Sequence, residues 1–132
     1  MKLNPETTYQ AIVGSVLVRI RKEMKVEQAA LAKAAGVNQS TWSRIERGES
    51  ALSVEQLFQA ANYLQIKPSV VIQESEKALG SLKKQDVIVS TSKDIDKRVA
   101  QGAALIGASA LGALVGAAVM KSKQKSNEAE DD

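Results

Sequence analysis

Gln28, Gln39, Ser40, Arg44 and Arg47 are the residues of this chain best suited to chemistry, and the chemistry is recognition rather than bond making. A glutamine amide donates and accepts at once and matches the edge of adenine. An arginine fork matches guanine, and each such bidentate pair discriminates against a wrong base by roughly 1–3 kcal/mol. The spacing puts Gln39, Ser40 and Arg44 on one side of a short helix, with Ser43 and Arg47 beside them. Trp42 and Ile45, three apart, fall on the opposite side, which marks the indole as core rather than as a base-stacking ring. Gln28 opens the preceding helix, where unsatisfied backbone N–H groups and the helix dipole favour a phosphate. Arginines on an exposed helix are by default solvated, but Arg44 and Arg47 beside Gln39 favour contact with DNA.

Composition removes most competing functions. The chain has no Cys and no His, so it lacks disulfides, a thiol nucleophile, the common zinc ligands and the common general base. No nucleophile–base pair and no phosphate-cradling loop stands out. No catalytic residue, metal, cofactor or small-molecule substrate is therefore expected. The net charge of +3 is modest, but its placement is uneven: residues 1–73 hold nine Lys or Arg against six acids, whereas residues 99–132 hold three against four. The positive surplus lies with the candidate DNA-reading segment. The N-terminus shows no signal-peptide pattern, so this part of the chain is expected in the cytoplasm.

Five helices are needed to position these groups. Asn4 and Pro5 form a helix start, followed by Tyr9, Val13, Val16, Leu17, Ile20 and Met24 along one face. Helix two runs from about Gln28 to Ala35 and stops at Gly36. Helix three is capped by Asn38 and ends at Gly48. Ser53 to Gln56 is a capping box for helix four, whose buried face carries Leu57, Ala61 and Leu64. Pro68 opens helix five, with Val71, Ile72, Ser75, Leu79 and Leu82 along one side, reaching about Lys84. The strand-like alternation at Val87 and Val89 allows a linker or an edge that pairs with a second copy of the chain.

Residues 10–73 resemble the Cro/repressor-type (Xre-like) helix-turn-helix domains of phage and bacterial regulators. The resemblance is carried by Arg21, Gln28, Leu31, Ala32, Gly36, Val37, Ile45, Glu46 and Gly48, with Leu57, Ala61 and Leu64 downstream. It implies an all-α, compact five-helix lambda-repressor-like domain that binds a two-fold operator on double-stranded DNA as a dimer. It also implies roles. Gln39, Ser40 and Arg44 match base-contacting positions. Gln28 matches a position that holds a phosphate and steadies Gln39; with Asn38 at the cap, Thr41, Ser43 and Arg47 complete the backbone set. Arg21 and Glu46 match a structural ion pair. Glu27 departs from the pattern, standing where the family usually has a Ser or Thr cap, at a loss of about 1 kcal/mol.

The C-terminal third poses a separate question. Val99 to Met120 is 22 residues without a formal charge, with eight Ala and four Gly. It is long enough to cross the hydrocarbon core of a bilayer, and no polar face remains on a helical wheel. Ala100, Ala104, Ala108, Gly112 and Gly116 form a stripe of small residues that lets helices approach closely. A single inner-membrane span and a self-associating soluble helix both satisfy this pattern, and the span is favoured by length.

The sequence therefore predicts a DNA-binding domain over residues 1–84, a linker over 85–92, an uncharged helix over 93–121 and a disordered polar, acidic tail over 122–132. The expected function is sequence-specific transcriptional regulation by a homodimer or higher homo-oligomer. The competing expectation is a membrane or self-assembling protein whose helix-turn-helix is a protein-docking or autoregulatory module.

Overall fold

A computed structural model describes residues 5–91 and 110–116. Its order is β1 (Glu6–Thr8), α1 (Tyr9–Glu23), α2 (Gln28–Ala34), α3 (Gln39–Glu46), α4 (Val54–Tyr63), α5 (Pro68–Lys84) and β2 (Ile88–Ser90). The five helices enclose one aliphatic core. Ile12, Val16 and Leu17 of α1 meet Leu31 of α2, Trp42 and Ile45 of α3, Leu64, and Val71, Ala78 and Leu82 of α5. Each large side chain removed from water here contributes about 1.5–3 kcal/mol. Helix α1 is the central element, packed on both α3 and α5. Tyr9 links its first turn to α5 by donating to Glu76 Oε1 at 2.9 Å. Burial and the neighbouring carboxylate push the Tyr9 hydroxyl up to about 12.

Three features depart from the sequence reading. Where Asn4 and Pro5 predict a helix start, Glu6–Thr8 is extended, and α1 begins four residues later with Thr8 Oγ1 accepting from the Ala11 amide at 3.1 Å. Where the pattern predicts a linker or an intermolecular edge, Ile88–Ser90 returns to its own N-terminus. It lies parallel to Glu6–Thr8, with Thr7 opposite Val89. The two observations have one cause: the strand pairing holds residues 6–8 out of the helix, and Ser90 donates to the Glu6 carboxylate at 2.7 Å. Met24 and Ile72, placed on apolar helix faces by the sequence pattern, are exposed, while Ile12, which the pattern passed over, is fully buried.

The α1–α3 crossing depends on glycine. A Cβ at Gly14 would lie 2.4 Å from the Glu46 carbonyl oxygen and 2.6 Å from that of Ile45, so only glycine lets the middle of α1 pass the end of α3. Gly48 follows at φ +76°, and a Cβ there would lie 2.5 Å from Ala11 Cα. Gly80 on α5 has nothing within 4 Å of the same position. Opposite effects follow in urea denaturation. Gly14→Ala is expected to destabilise the domain by about 1–3 kcal/mol or more. Gly80→Ala, on an open helix surface, is expected to stabilise it by about 0.5–1 kcal/mol.

Candidate nucleic-acid interface

The turn between α2 and α3 is set by Gly36 at φ +77°, with the Val37 amide closing back onto the Ala32 carbonyl at 3.0 Å. Asn38 then caps α3: its Oδ1 accepts from the Thr41 amide at 2.8 Å and from the Ser40 hydroxyl at 3.2 Å. Helix α2 begins without a side-chain cap, because Glu27 makes no capping hydrogen bond. Trp42 and Ile45 are buried, which fixes the rotation of α3. That rotation leaves Asn38, Gln39, Ser40, Arg44 and Arg47 exposed and Thr41 and Ser43 half-buried on the outer side.

Beneath this surface lies one buried carboxylate. Glu46 accepts from Arg21 Nε at 2.8 Å and Nη2 at 3.2 Å, from the Trp42 indole N–H at 3.1 Å, and from the Gln28 amide. Its side chain is 3% exposed and that of Arg21 12%. A carboxylate only accepts, so it forces Gln28 to point its NH₂ inward and its carbonyl outward. That carbonyl accepts from Gln39 Nε2 at 3.3 Å. Gln39 is thereby held with its own carbonyl and second N–H unused by this relay, the pair of groups a glutamine offers to adenine.

At the other end of α3 Arg47 is already engaged. Arg47 donates to Ser43 Oγ at 2.6 Å and through Nε and Nη2 to both oxygens of Glu49, each at 3.1 Å. These hydrogen bonds hold the Glu49 carboxyl below the usual carboxylate range and raise the Arg47 guanidinium. The sequence reading assigned Arg47 but missed Glu49; the sequence signal was an acid two residues from a cation in the turn after α3. Arg44 lies close enough for its charge to act on Glu49 as well.

Of the small-residue stripe, Gly112 and Gly116 fall within the described helical residues 110–116; Ala100, Ala104, Ala108, the expected helix limits and the acidic tail lie outside them. Leu111 and Val115 are buried as part of the domain core, and Arg19 Nη1 donates to the Gly116 carbonyl at 3.0 Å. In this described part the apolar segment is covered by its own domain, a course different from both the bilayer and the self-association of the sequence reading. Among the described residues no helix is long and apolar enough to cross a membrane.

Residues 17–71 match the helix-turn-helix family model HTH_3. The fold is similar to that of ClgR, the clp gene regulator of Corynebacterium glutamicum, at 22% identity over 74% of this chain and 97% of that one, with a TM-score of 0.58. A second structure of ClgR matches at 28% identity over 55% of this chain and 92% of that one, with a TM-score of 0.52. A point mutant of the restriction-modification controller protein C.Esp1396I matches at 24% identity, covering 56% and 94%, with a TM-score of 0.51. No curated protein matches the chain.

The buried cluster can be tested separately from any ligand. Glu46→Ala leaves the Arg21 guanidinium and the Trp42 indole N–H without their acceptor, and breaking a buried pair in this way costs about 3–5 kcal/mol. Chemical denaturation of the variant is expected to show a loss of that size; a loss no larger than that of an exposed ion pair would contradict the cluster. With its two-helix turn, this buried pair and the family match in place, the chain carries, through residues 17–71, a helix-turn-helix domain of the Cro/repressor (Xre-like) family.

Proposed function

We propose that the chain is a transcriptional regulator that binds double-stranded DNA in a sequence-specific manner. The observation that carries this reading is the division of α3: Trp42 and Ile45 are buried, while Gln39, Ser40 and Arg44 are exposed together on the opposite side. A helix presented in this way fits the major groove, which admits one α-helix and displays a distinct donor–acceptor pattern for each base pair. ClgR is itself a gene regulator, and C.Esp1396I controls a restriction-modification system; both support the assignment.

In this proposal Gln39, Ser40 and Arg44 read bases. Asn38, Thr41, Ser43 and Arg47, with the backbone N–H groups at the start of α2 that Gln28 opens, hold the sugar–phosphate backbone, which supplies most of the affinity and makes it salt-dependent. The protein acts as a homodimer on a two-fold site. Val54 and Phe58, four apart on α4, are exposed apolar groups suited to such a contact. A membrane tether is not part of this proposal, since Leu111 and Val115 lie in the core cluster of the domain.

Selection of duplexes from a random-sequence pool by the full chain tests the reading. Gln39→Ala combined with Arg44→Ala should abolish enrichment of the selected sequence, since each bidentate contact is worth roughly 1–3 kcal/mol of discrimination. Undiminished selectivity would refute the base-reading assignment. Glu49 gives a second, independent measurement. Glu49→Gln releases the Arg47 guanidinium from its carboxylate, so it should strengthen binding to all sequences and steepen the salt dependence of log K by about one. An unchanged slope would remove Arg47 from the backbone set.

A further inference from the structure

Residues 110–116 lie beside the face just assigned to DNA. Leu111 and Val115, four apart on one side of this helical segment, are 3% and 1% exposed. Gly116 is the point of close approach: its carbonyl accepts from Arg19 Nη1, and a Cβ there would come within 3.0 Å of the same atom. One helical turn away, Gly112 borders a cavity of about 490 Å³. Ser15, Val18 and Lys22 of α1 line one side of it, and Gln28, Ser43 and Arg47 the other.

Ser43 and Arg47, with the start of α2 at Gln28, are the groups proposed to hold the DNA backbone. A strand engaged on them comes up against the cavity that Gly112 borders. Docking of the segment also commits a cation, because Arg19 is held between the Gly116 carbonyl and Glu23, whose Oε1 lies 3.2 Å from its Nε. When the segment leaves, Arg19 loses one of these two partners, on the rim of a cavity already positive from Lys22 and Arg47.

We infer that the outer face of α1 is a docking surface for the chain's own residues 110–116, and that this docking and engagement of the DNA backbone exclude one another. The inference rests on the DNA-binding reading and adds a regulatory partner carried in the same chain. A segment carried on the same chain competes intramolecularly, at an effective rather than a free concentration. Any ligand that captures the apolar segment therefore raises DNA affinity without touching α3, by mass action on the undocked form.

Three forms of the full chain test this on one labelled duplex selected from a random-sequence pool. The first is the unaltered protein. The second, Leu111→Asn with Val115→Asn, removes apolar anchoring without adding charge. The third, Ser15→Cys with Gly112→Cys, exploits the absence of any other cysteine and is closed by a bismaleimide whose spacer contains a reducible disulfide. The released form should bind about fivefold or more tightly, with a steeper salt dependence, and the closed form about fivefold or more weakly. Reductant should restore the closed form. Amide exchange along α1 should be faster in the released form than in the unaltered protein. Equal affinity in all three forms, or unchanged exchange in α1, would overturn the inference while leaving DNA binding intact. Failure of every form to bind any duplex would instead strike the DNA-binding reading itself.

Discussion

The first turn of the candidate recognition helix is organised by one carboxylate that faces inward. Glu46 sits at the last turn of α3 with its side chain almost wholly buried, and it collects donors from three helices: Arg21 of α1, Gln28 of α2 and Trp42 of its own α3. Removing a carboxylate from water costs several kcal/mol, and an ion pair alone rarely offsets that. The additional N–H groups change the balance, because they satisfy both oxygens of Glu46. Arg21 is held on its own account too, by a third donation from Nη1 to the Val26 carbonyl at 3.2 Å. The cluster thus adds geometry more than net stability: it leaves one relative rotation of α1, α2 and α3 in which all donors are satisfied.

That rotation has a direct consequence at the surface. An amide side chain has two ends that sterics barely distinguish, and only the hydrogen-bond network decides which is which. Glu46 decides it for Gln28, and Gln28 decides it for Gln39. The preference is relayed from the core to the tip of α3 through two side chains, with no backbone movement. At the opposite end of α3 the order is different. Arg47 is held by Ser43 and Glu49, all near solvent, where screening makes such pairs weak and exchangeable. The interface therefore combines a preset end and an adjustable end. This suits a helix whose first turn must choose a base while its last turn follows a phosphate.

Legibility in the sequence followed locality. Caps, glycine stops and three-to-four spacing are local, so α2 to α5 and the burial of Trp42, Ile45, Ala61 and Leu64 could be read from the chain alone. Glycine marked the helix ends at Gly36 and Gly48, both at positive φ. The ends of α1, α4 and α5 use Lys25, Gln65 and Asp86 in the same left-handed conformation, and these residue types carry no comparable signal. Pairing of Glu6–Thr8 with Ile88–Ser90 joins segments about eighty residues apart, and no periodicity in either one announces the other. Gly14 was equally silent: its necessity arises only because the end of α3 crosses there. In the site, residue types foretold which groups could face DNA, while the roles of Glu49 and of the Glu46–Gln28 link appear only in three dimensions.

The uncharged C-terminal stretch shows why composition underdetermines location. An apolar helix with a stripe of small residues satisfies a bilayer, a second helix or the flank of a folded domain equally well, because all three supply apolar surroundings and tolerate close approach. What separates them is whether a complementary surface is already present. Here α1 offers one: it lies between α3 and α5, and beside it Leu111 and Val115 are as buried as residues of the central core. The Gly116 carbonyl then meets an arginine side chain rather than lipid. The same small residues that make a membrane helix plausible also make this contact geometrically open, so the decision passes from the segment to the surface that receives it.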